Sequence, residues 1–294
     1  MQNQSMSSLP PHHFYSTESS LRHPKRFFKE MFSDLWLGRG LAFTLAKRDL
    51  AAQYRQSLLG YVWAFLPVLG VTGLFTFLKL SGAMQLSNSG IPYLLFSLVG
   101  TTLWQLFVDA LNSPLAQMNS GRSMLIKLNF PRESLLIAGI IKIWVNFGIR
   151  MLIVIPVVIF FLWKGEVTLN FWSPILFLGG TLAVMFFGLA LGLFLVPLGV
   201  LFQDVQKALA MLISFWMFIT PVVIPIPEAG FASKLMPINP VTPLLDNTRM
   251  WLLGMHAEYI TSFGWVVLVS LVCFLWSWLV LRVSFPHIIA RMGM

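Results

Sequence analysis

Six long apolar runs dominate this sequence, and each is long enough to cross a lipid bilayer. A helix needs about 20 mostly apolar residues to span the hydrocarbon core. The runs cover residues 60–80, 91–111, 138–163, 171–202, 205–226 and 262–285. We therefore expect an all-α, polytopic membrane protein with six transmembrane helices. Its function must be sought in polar residues within the spans and in the loops.

The composition excludes a water-soluble fold and leaves little room for a second domain. Charged residues make up 11% of the chain and the mean hydropathy is +0.77, whereas a soluble domain carries about 25% charged residues. Six spans and their connections use most of the 294 residues. We predict a disordered cytoplasmic tail at 1–33 and one transmembrane domain at 34–294, with no separate catalytic domain.

The basic residues fall mostly on one side of the predicted spans. Of the 20 Lys and Arg residues, fourteen flank the spans on the side of the N-terminus and four lie on the opposite side. The positive-inside rule then places both termini in the cytoplasm, which an even number of spans also requires. The net charge of +9 is explained by lipid head groups and membrane insertion, so we expect no nucleic-acid partner.

Span three carries a polar stripe, because Lys142, Asn146 and Arg150 follow one another at four-residue spacing. A charge at the bilayer centre costs roughly 2.5–3.5 kcal/mol, so the stripe should face protein or water. One interpretation makes Asn146 and Arg150 the wall of a translocation path or cytoplasmic gate. The other is structural and pairs Lys142 with Asp109 of span two.

Two segments outside the spans are predicted to be helical. Residues 34–59 form either an interfacial helix or a basic anchor for span one, because leucines recur every four residues before a cluster of charges. The outer segment 225–261 holds five prolines among apolar residues. It is too broken to span, and we expect re-entrant half-helices that dip into the outer leaflet.

The chain lacks the sequence signatures of an enzyme. No phosphate-binding G-x-x-x-x-G-K-[ST] loop, H-E-x-x-H, CxxC or G-x-S-x-G motif occurs, and the carboxylates are scattered. We therefore predict no catalytic residue, no metal site and no site for ATP hydrolysis in this chain. Energy for uphill transport would come from a separate ATPase subunit, since gradient-driven carriers usually hold carboxylates within their spans.

Five short motifs, in order, resemble the type-2 ABC export permeases that handle O-antigen, capsule or teichoic-acid chains. They are Lys47-Arg48-Asp49-Leu50 with Tyr54–Ala64, then Met124–Arg132, Phe202-Gln203-Asp204-Val205, Thr220-Pro221-Val222-Val223, and Asn239-Pro240 with Arg249 and Leu253-Gly254. The resemblance extends from about residue 35 to residue 285. One departure is Gln203, which stands where the family usually has arginine.

The resemblance implies a mechanism and a set of partners. Two copies of such a permease form a pore, and two nucleotide-binding ATPase subunits dock from the cytoplasm of the bacterial inner membrane. The permease itself binds no cofactor, because ATP is bound by the partner subunit. The cargo is typically a glycan on undecaprenyl diphosphate. Membrane lipids complete the list of expected partners.

The polar stripe and the resemblance together give the candidate residues four roles. Four basic residues are assigned to the substrate entrance, where they contact the head group or dock the ATPase: Lys47, Arg48, Arg55 and Arg122. Asn146 and Arg150 are assigned to the path. Coupling to the ATPase is assigned to Met124, Lys127 and Asn129 in the segment 120–129. It is also assigned to Asp204 in the short loop before span five. Asn239, Pro240 and Arg249 are assigned to the outer exit.

Other functions stay open at this stage. Each basic entrance residue has an alternative role in contacting lipid head groups. The cargo of an ABC permease could instead be a drug, a lipid or haem, although the aromatic content favours glycan over these. A gradient-driven carrier is disfavoured because the predicted spans hold almost no acids apart from Asp109. A membrane enzyme acting on lipid-linked sugars is disfavoured because a carboxylate cluster or metal site is missing.

Overall fold

The computed structural model describes residues 33, 35–55, 60–84, 90–127 and 131–292, and every regular element among them is helical. The predicted tail lies outside these residues except for Ser33. The α-helices are α1 (Arg39–Arg55), α2 (Leu66–Leu80), α3 (Tyr93–Ser120), α4 (Arg122–Lys127), α5 (Glu133–Trp163), α6 (Ser173–Leu201), α7 (Gln203–Ile219), α8 (Phe231–Leu235), α9 (Val241–Leu252) and α10 (Ile260–Met292). Short 3-10 helices occur at Gly60–Ala64 and Met236–Ile238.

Four of the helices in the described residues are long and apolar enough to cross a membrane. They are α3, α5, α6 and α10, the last counted over Ile260–Ser284. The two other predicted spans form shorter helices. Helix α2 has 15 residues and α7 has 17, which at 1.5 Å per residue gives roughly 22 and 26 Å. The hydrocarbon core is about 30 Å thick.

Each short helix is bounded on one side by a break inside its apolar run, at the start of α2 and at the end of α7. The apolar run predicted as span one is divided at Phe65 into the 3-10 helix and α2, and Pro67 lies in the first turn of α2. The run predicted as span five stops at Thr220, whose extended backbone ends α7 directly before Pro221. A proline has no N–H group and clashes with the preceding turn of a helix, so it cannot continue α7.

The stretch after predicted span two, residues 112–133, is mostly helical. Helix α3 continues through it to Ser120, and α4 follows after a turn at Gly121. Leu115 and Met118 lie one helical turn apart, and both are buried inside the protein. Burying these apolar side chains stabilises the continued helix.

Helix α6 lies at the centre of the subunit and packs against α3, α9 and α10. Its contact with α3 depends on small residues. A Cβ atom added at Gly188 would lie 2.8 Å from the carbonyl oxygen of Phe107, and one at Gly192 would meet the backbone of Leu111. Close backbone approach of this kind is how helices associate where no water drives them together. The seam between α3 and α6 is therefore closed.

A second apolar cluster joins six helices on the side that carries most of the basic residues, which we call the inner side. We call this group the inner cluster. It consists of Ala42, Leu45 and Ala46 of α1, Met118 of α3, Leu125 of α4, Leu135 and Ala138 of α5, Leu193 and Val196 of α6, and Leu281 of α10. Because one set of buried side chains is shared, these six helix ends form a single packed unit.

The closed seam between α3 and α6 predicts the effect of enlarging Gly188. The Gly188→Leu variant should lose about 1–3 kcal/mol of unfolding free energy, because a side chain there displaces the backbone of α3. The matched control is Gly179→Leu on the same helix, where an added Cβ meets nothing within 4 Å. Thermal unfolding in detergent measures both. Equal unfolding temperatures for the two variants would contradict the packing described.

Candidate functional site

The predicted entrance residues lie on the inner surface of α1 and α4. Lys47, Arg48 and Arg55 are exposed on α1, and Arg122 is exposed at the start of α4. The guanidinium of Arg48 pairs with Asp49 at 2.9 Å and also donates to the sulfur of Met124 at 3.4 Å. The structure thus brings an entrance residue into contact with a predicted coupling residue.

The predicted coupling residues that the structure describes lie on two helices, α4 and α7. Met124 is half-buried on α4, and Lys127 is the last residue of that helix. Asp204 lies exposed in the first turn of α7, three residues after Leu201, the last residue of α6. Asn129 is outside the described residues. Helix α4 packs against α10, the last long helix of the chain. The part of the predicted coupling segment 120–129 that forms α4 therefore contacts α10.

Arg150 is buried in an ion pair within the subunit. Its Nη1 atom lies 2.7 Å from Oδ2 of Asp109 on α3. Its Nε atom donates to the carbonyl oxygen of Ala64 at 3.3 Å, which is the last residue of the 3-10 helix before α2. A single guanidinium therefore ties α5, α3 and the broken entry to α2 together.

This pairing corrects the structural interpretation of the polar stripe. Asp109 pairs with Arg150 and not with Lys142. Arg150 lies two helical turns after Lys142 on α5, and its long side chain reaches Asp109 on α3 from there. Lys142 is half-buried and lies within electrostatic range of Asp109 without contacting it. Asn146 is buried between them on the same face. In this conformation the stripe faces protein.

Arg249 is the most completely buried charged residue of the described chain. It lies on α9 with no exposed surface, and its guanidinium carbon stacks 3.7 Å from the ring centroid of Phe96 on α3. Its Nη2 atom donates to the carbonyl oxygens of Pro221 and, at 3.3 Å, Val222. Gly100 leaves the space that the guanidinium fills, since a Cβ there would lie 2.6 Å from Nη2.

The charge of Arg249 is balanced by a carboxylate one turn earlier on the same helix. Oδ1 of Asp246 lies 3.6 Å from Nη1 of Arg249. Burial raises the pKa of Asp246, an effect that the neighbouring guanidinium partly offsets. Burial also lowers the pKa of Arg249 to about 10. Arg249 therefore stays protonated at neutral pH, and its charge is held in the protein by the ring, two carbonyl groups and one acid.

Asn239 joins the end of α7 to the start of α9. Its Nδ2 atom donates to the hydroxyl of Thr220 at 2.7 Å and to the carbonyl oxygen of Ile219 at 3.4 Å. Its Oδ1 atom accepts the N–H of Val241 at 3.1 Å and the indole N–H of Trp216 at 2.9 Å. Pro240 follows it, exposed at the start of α9. The three predicted outer-exit residues thus lie close to the end of α7.

The partners of these residues were not predicted from the sequence. Asp246 precedes Arg249 by three positions, which is a recognisable helical spacing. Phe96 and Gly100 are ordinary members of an apolar run, and nothing in the sequence marks them. A second missed pair joins Glu133 of α5 to Arg282 of α10 at 2.9 Å. Because the two residues are 149 positions apart, only the fold brings them together.

Comparison with known proteins places the chain among membrane transporters. The family model described as ABC-2 type transporter matches residues 41–253, which include every candidate residue named above. The "O-antigen export system permease protein RfbA" of Myxococcus xanthus is 29% identical over 219 residues, covering 73% of this chain and 80% of that protein. Two Klebsiella pneumoniae proteins of the same name are 24% and 23% identical over 231 residues, covering 75% of this chain and 84% of each.

The burial of Arg249 predicts a large loss of stability when its charge is removed. Arg249→Met leaves the Asp246 carboxylate buried without its counter-charge and should cost about 3–5 kcal/mol of unfolding free energy. Lys234→Met, which removes an exposed cation from α8 in the same outer segment, should change it by less than about 0.5 kcal/mol. Thermal unfolding in detergent compares the two. Similar unfolding temperatures would show that the buried charge stabilises nothing.

Proposed function

Because the chain belongs to the ABC-2 type transporter family, we propose that it is the transmembrane subunit of an ATP-driven exporter of lipid-linked polysaccharide. Members of this family are multi-pass membrane components of ABC transporters, and an ABC ATPase is a separate subunit. The observation that carries the proposal is the match along three quarters of the chain to permeases named for O-antigen export. The cargo we propose is a glycan on undecaprenyl diphosphate.

The exposed basic residues of the inner side support a cargo with a phosphate head group. Lys47, Arg48 and Arg55 lie on one helix, and Arg122 begins the helix that contacts Arg48 through Met124. Guanidinium groups bind phosphate through paired, charge-assisted hydrogen bonds. We propose that the diphosphate meets these side chains when the cargo enters, and that the adjacent α4 receives the ATPase subunits.

The closed interior of the subunit supports a path between two copies. Arg150 and Asn146 are covered by α3 and the entry to α2, and α3 meets α6 backbone to backbone at Gly188 and Gly192. A bulky polymer does not fit through such a seam. The remaining route lies along the surface of the subunit, and a second copy would close that surface into a pore.

Helix α7 offers the surface that a second copy would cover. It packs on its own subunit through one narrow stripe that includes Leu209 and Ile213, whereas Met211, Phe215 and Phe218 are exposed. Helix α2 is also exposed at Leu69, Leu74 and Phe77. We propose that α2 and α7 cross the membrane as the first and fifth of six spans and face their counterparts in a homodimer, with the segment 225–261 at the outer exit and both termini in the cytoplasm of a bacterium.

The proposed dimer predicts a specific cross-link in native membranes. In a Cys273→Ser background, Phe215→Cys should form a covalent dimer with a short bifunctional thiol reagent. Val272→Cys, which is exposed on α10, should not. Gel electrophoresis of the treated membranes separates the two outcomes. Equal cross-linking at both positions would contradict an interface at α7.

The proposed activity is tested by reconstitution with the ATPase subunit. In liposomes, the complex should move undecaprenyl-diphosphate-linked glycan only when ATP is hydrolysed. A permease that transports the glycan alone, without nucleotide, would contradict the proposal.

The entrance hypothesis predicts the effect of one charge removal. Arg55→Ala should reduce glycan export by about tenfold, because a hydrogen bond to a charged group contributes about 1.5–3 kcal/mol, while assembly with the ATPase stays intact. Arg39→Ala removes the same charge four turns earlier on α1 and should leave export unchanged. Surface glycan and co-purified ATPase measure both effects. Unchanged surface glycan in the Arg55 variant would count against the assignment.

A further inference from the structure

The inner ends of α5 and α10 are joined by an ion pair that none of the roles above uses. Nη1 of Arg282 donates to Oε1 of Glu133 at 2.9 Å, and the two side chains are 14% and 7% exposed. Glu133 is the first residue of α5, where a negative charge also suits the positive end of the helix. Separating a pair this well covered costs free energy, because both charges lie largely inside the protein.

The pair lies beside the helix that is expected to meet the ATPase. Helix α4 packs against α10, and Leu125 of α4 is buried in the inner cluster together with Leu281, the neighbour of Arg282. Leu135, two residues after Glu133, belongs to the same cluster. A displacement of α4 is therefore transferred to the inner ends of α5 and α10. The apolar contacts can slide past one another, whereas the ion pair fixes their relative position.

Helix α10 extends from this pair to the outer segment. It has 33 residues, and near its outer end the ring of Phe263 packs against Trp251 of α9 with 4.9 Å between centroids. Helix α9 is in turn held on α3 by Arg249. One helix thus connects the inner surface that carries α4 to the outer segment that carries the proposed exit.

We infer that Glu133 and Arg282 are positioning residues that couple movement of α4 to α10, and through α10 to the outer segment. The inference rests on the proposed function, because it supplies the ATPase that moves α4. The pair acts as a linkage that holds α10 in register with α5 while α4 is displaced. Removing it should leave a folded transporter that hydrolyses ATP without moving its outer side.

The test uses the full complex of permease and ATPase in liposomes. A thiol introduced by Ser262→Cys, in a Cys273→Ser background, reports on the exposed outer start of α10. Its rate of labelling by an impermeant reagent is compared with and without ATP. In the otherwise unaltered permease the rate should change with nucleotide. In Glu133→Gln/Arg282→Met that change should shrink by about tenfold, within the range of typical coupling free energies, while ATP hydrolysis and assembly persist.

The neutral double variant is chosen because removing both charges leaves neither buried alone. The exchanged pair Glu133→Arg/Arg282→Glu should recover the nucleotide-dependent change to within about threefold. The matched control is Lys164→Met, which breaks an exposed outer pair with Glu166 at 3.8 Å and should change nothing.

Two results would overturn the inference. One is a neutral double variant whose labelling responds to nucleotide as strongly as the unaltered permease. The other is an exchanged pair that folds but responds no better than the neutral one. Labelling does not depend on the identity of the cargo. A complex that shows the pair-dependent change but moves no glycan would therefore count against the proposed cargo and leave the coupling role standing.

Discussion

The structure depends on one constraint: the bilayer core contains no water that could form hydrogen bonds with backbone groups where a helix is interrupted. Each unsatisfied N–H or C=O group there costs several kcal/mol. The chain departs from helix within the apolar runs 60–80 and 205–226, and polar side chains bond backbone carbonyl groups at these breaks. Arg150 reaches the carbonyl of Ala64, Arg249 reaches that of Pro221, and Asn239 bonds the end of α7. These breaks shorten the two helices that we propose as spans one and five.

This arrangement changes the interpretation of the polar residues within the apolar regions. A charged side chain in a span usually suggests a path for cargo. Here Arg150 and Arg249 are committed to ion pairs and carbonyl groups of their own subunit, so their charges are neutralised by protein. The surfaces that we propose for cargo and partners are the exposed basic residues of α1, the α4 helix beside them, and the faces of α2 and α7 that the subunit does not cover.

The sequence predicts the helical class and the four long spans well, because apolar length is a direct consequence of the bilayer. It predicts the breaks poorly. The division at Phe65 lies inside a continuous apolar run, and hydropathy cannot distinguish such a run from an unbroken span. The inner extension of α3 was missed because its buried leucine and methionine stand among polar residues. The pair of Glu133 and Arg282 is visible only in three dimensions, because no local pattern relates residues on helices so distant in sequence.

The most direct test measures whether one buried side chain holds the broken backbone in place. Hydrogen–deuterium exchange of the full chain in lipid nanodiscs would compare the unaltered protein with Arg249→Lys. This variant keeps the positive charge but loses the planar guanidinium with its several N–H donors. In the variant, amide exchange should become faster in residues 220–224 and in α9 together, and should stay unchanged in α3, α5 and α6. Unchanged exchange in both segments, or faster exchange spread evenly over the spans, would contradict this role of Arg249.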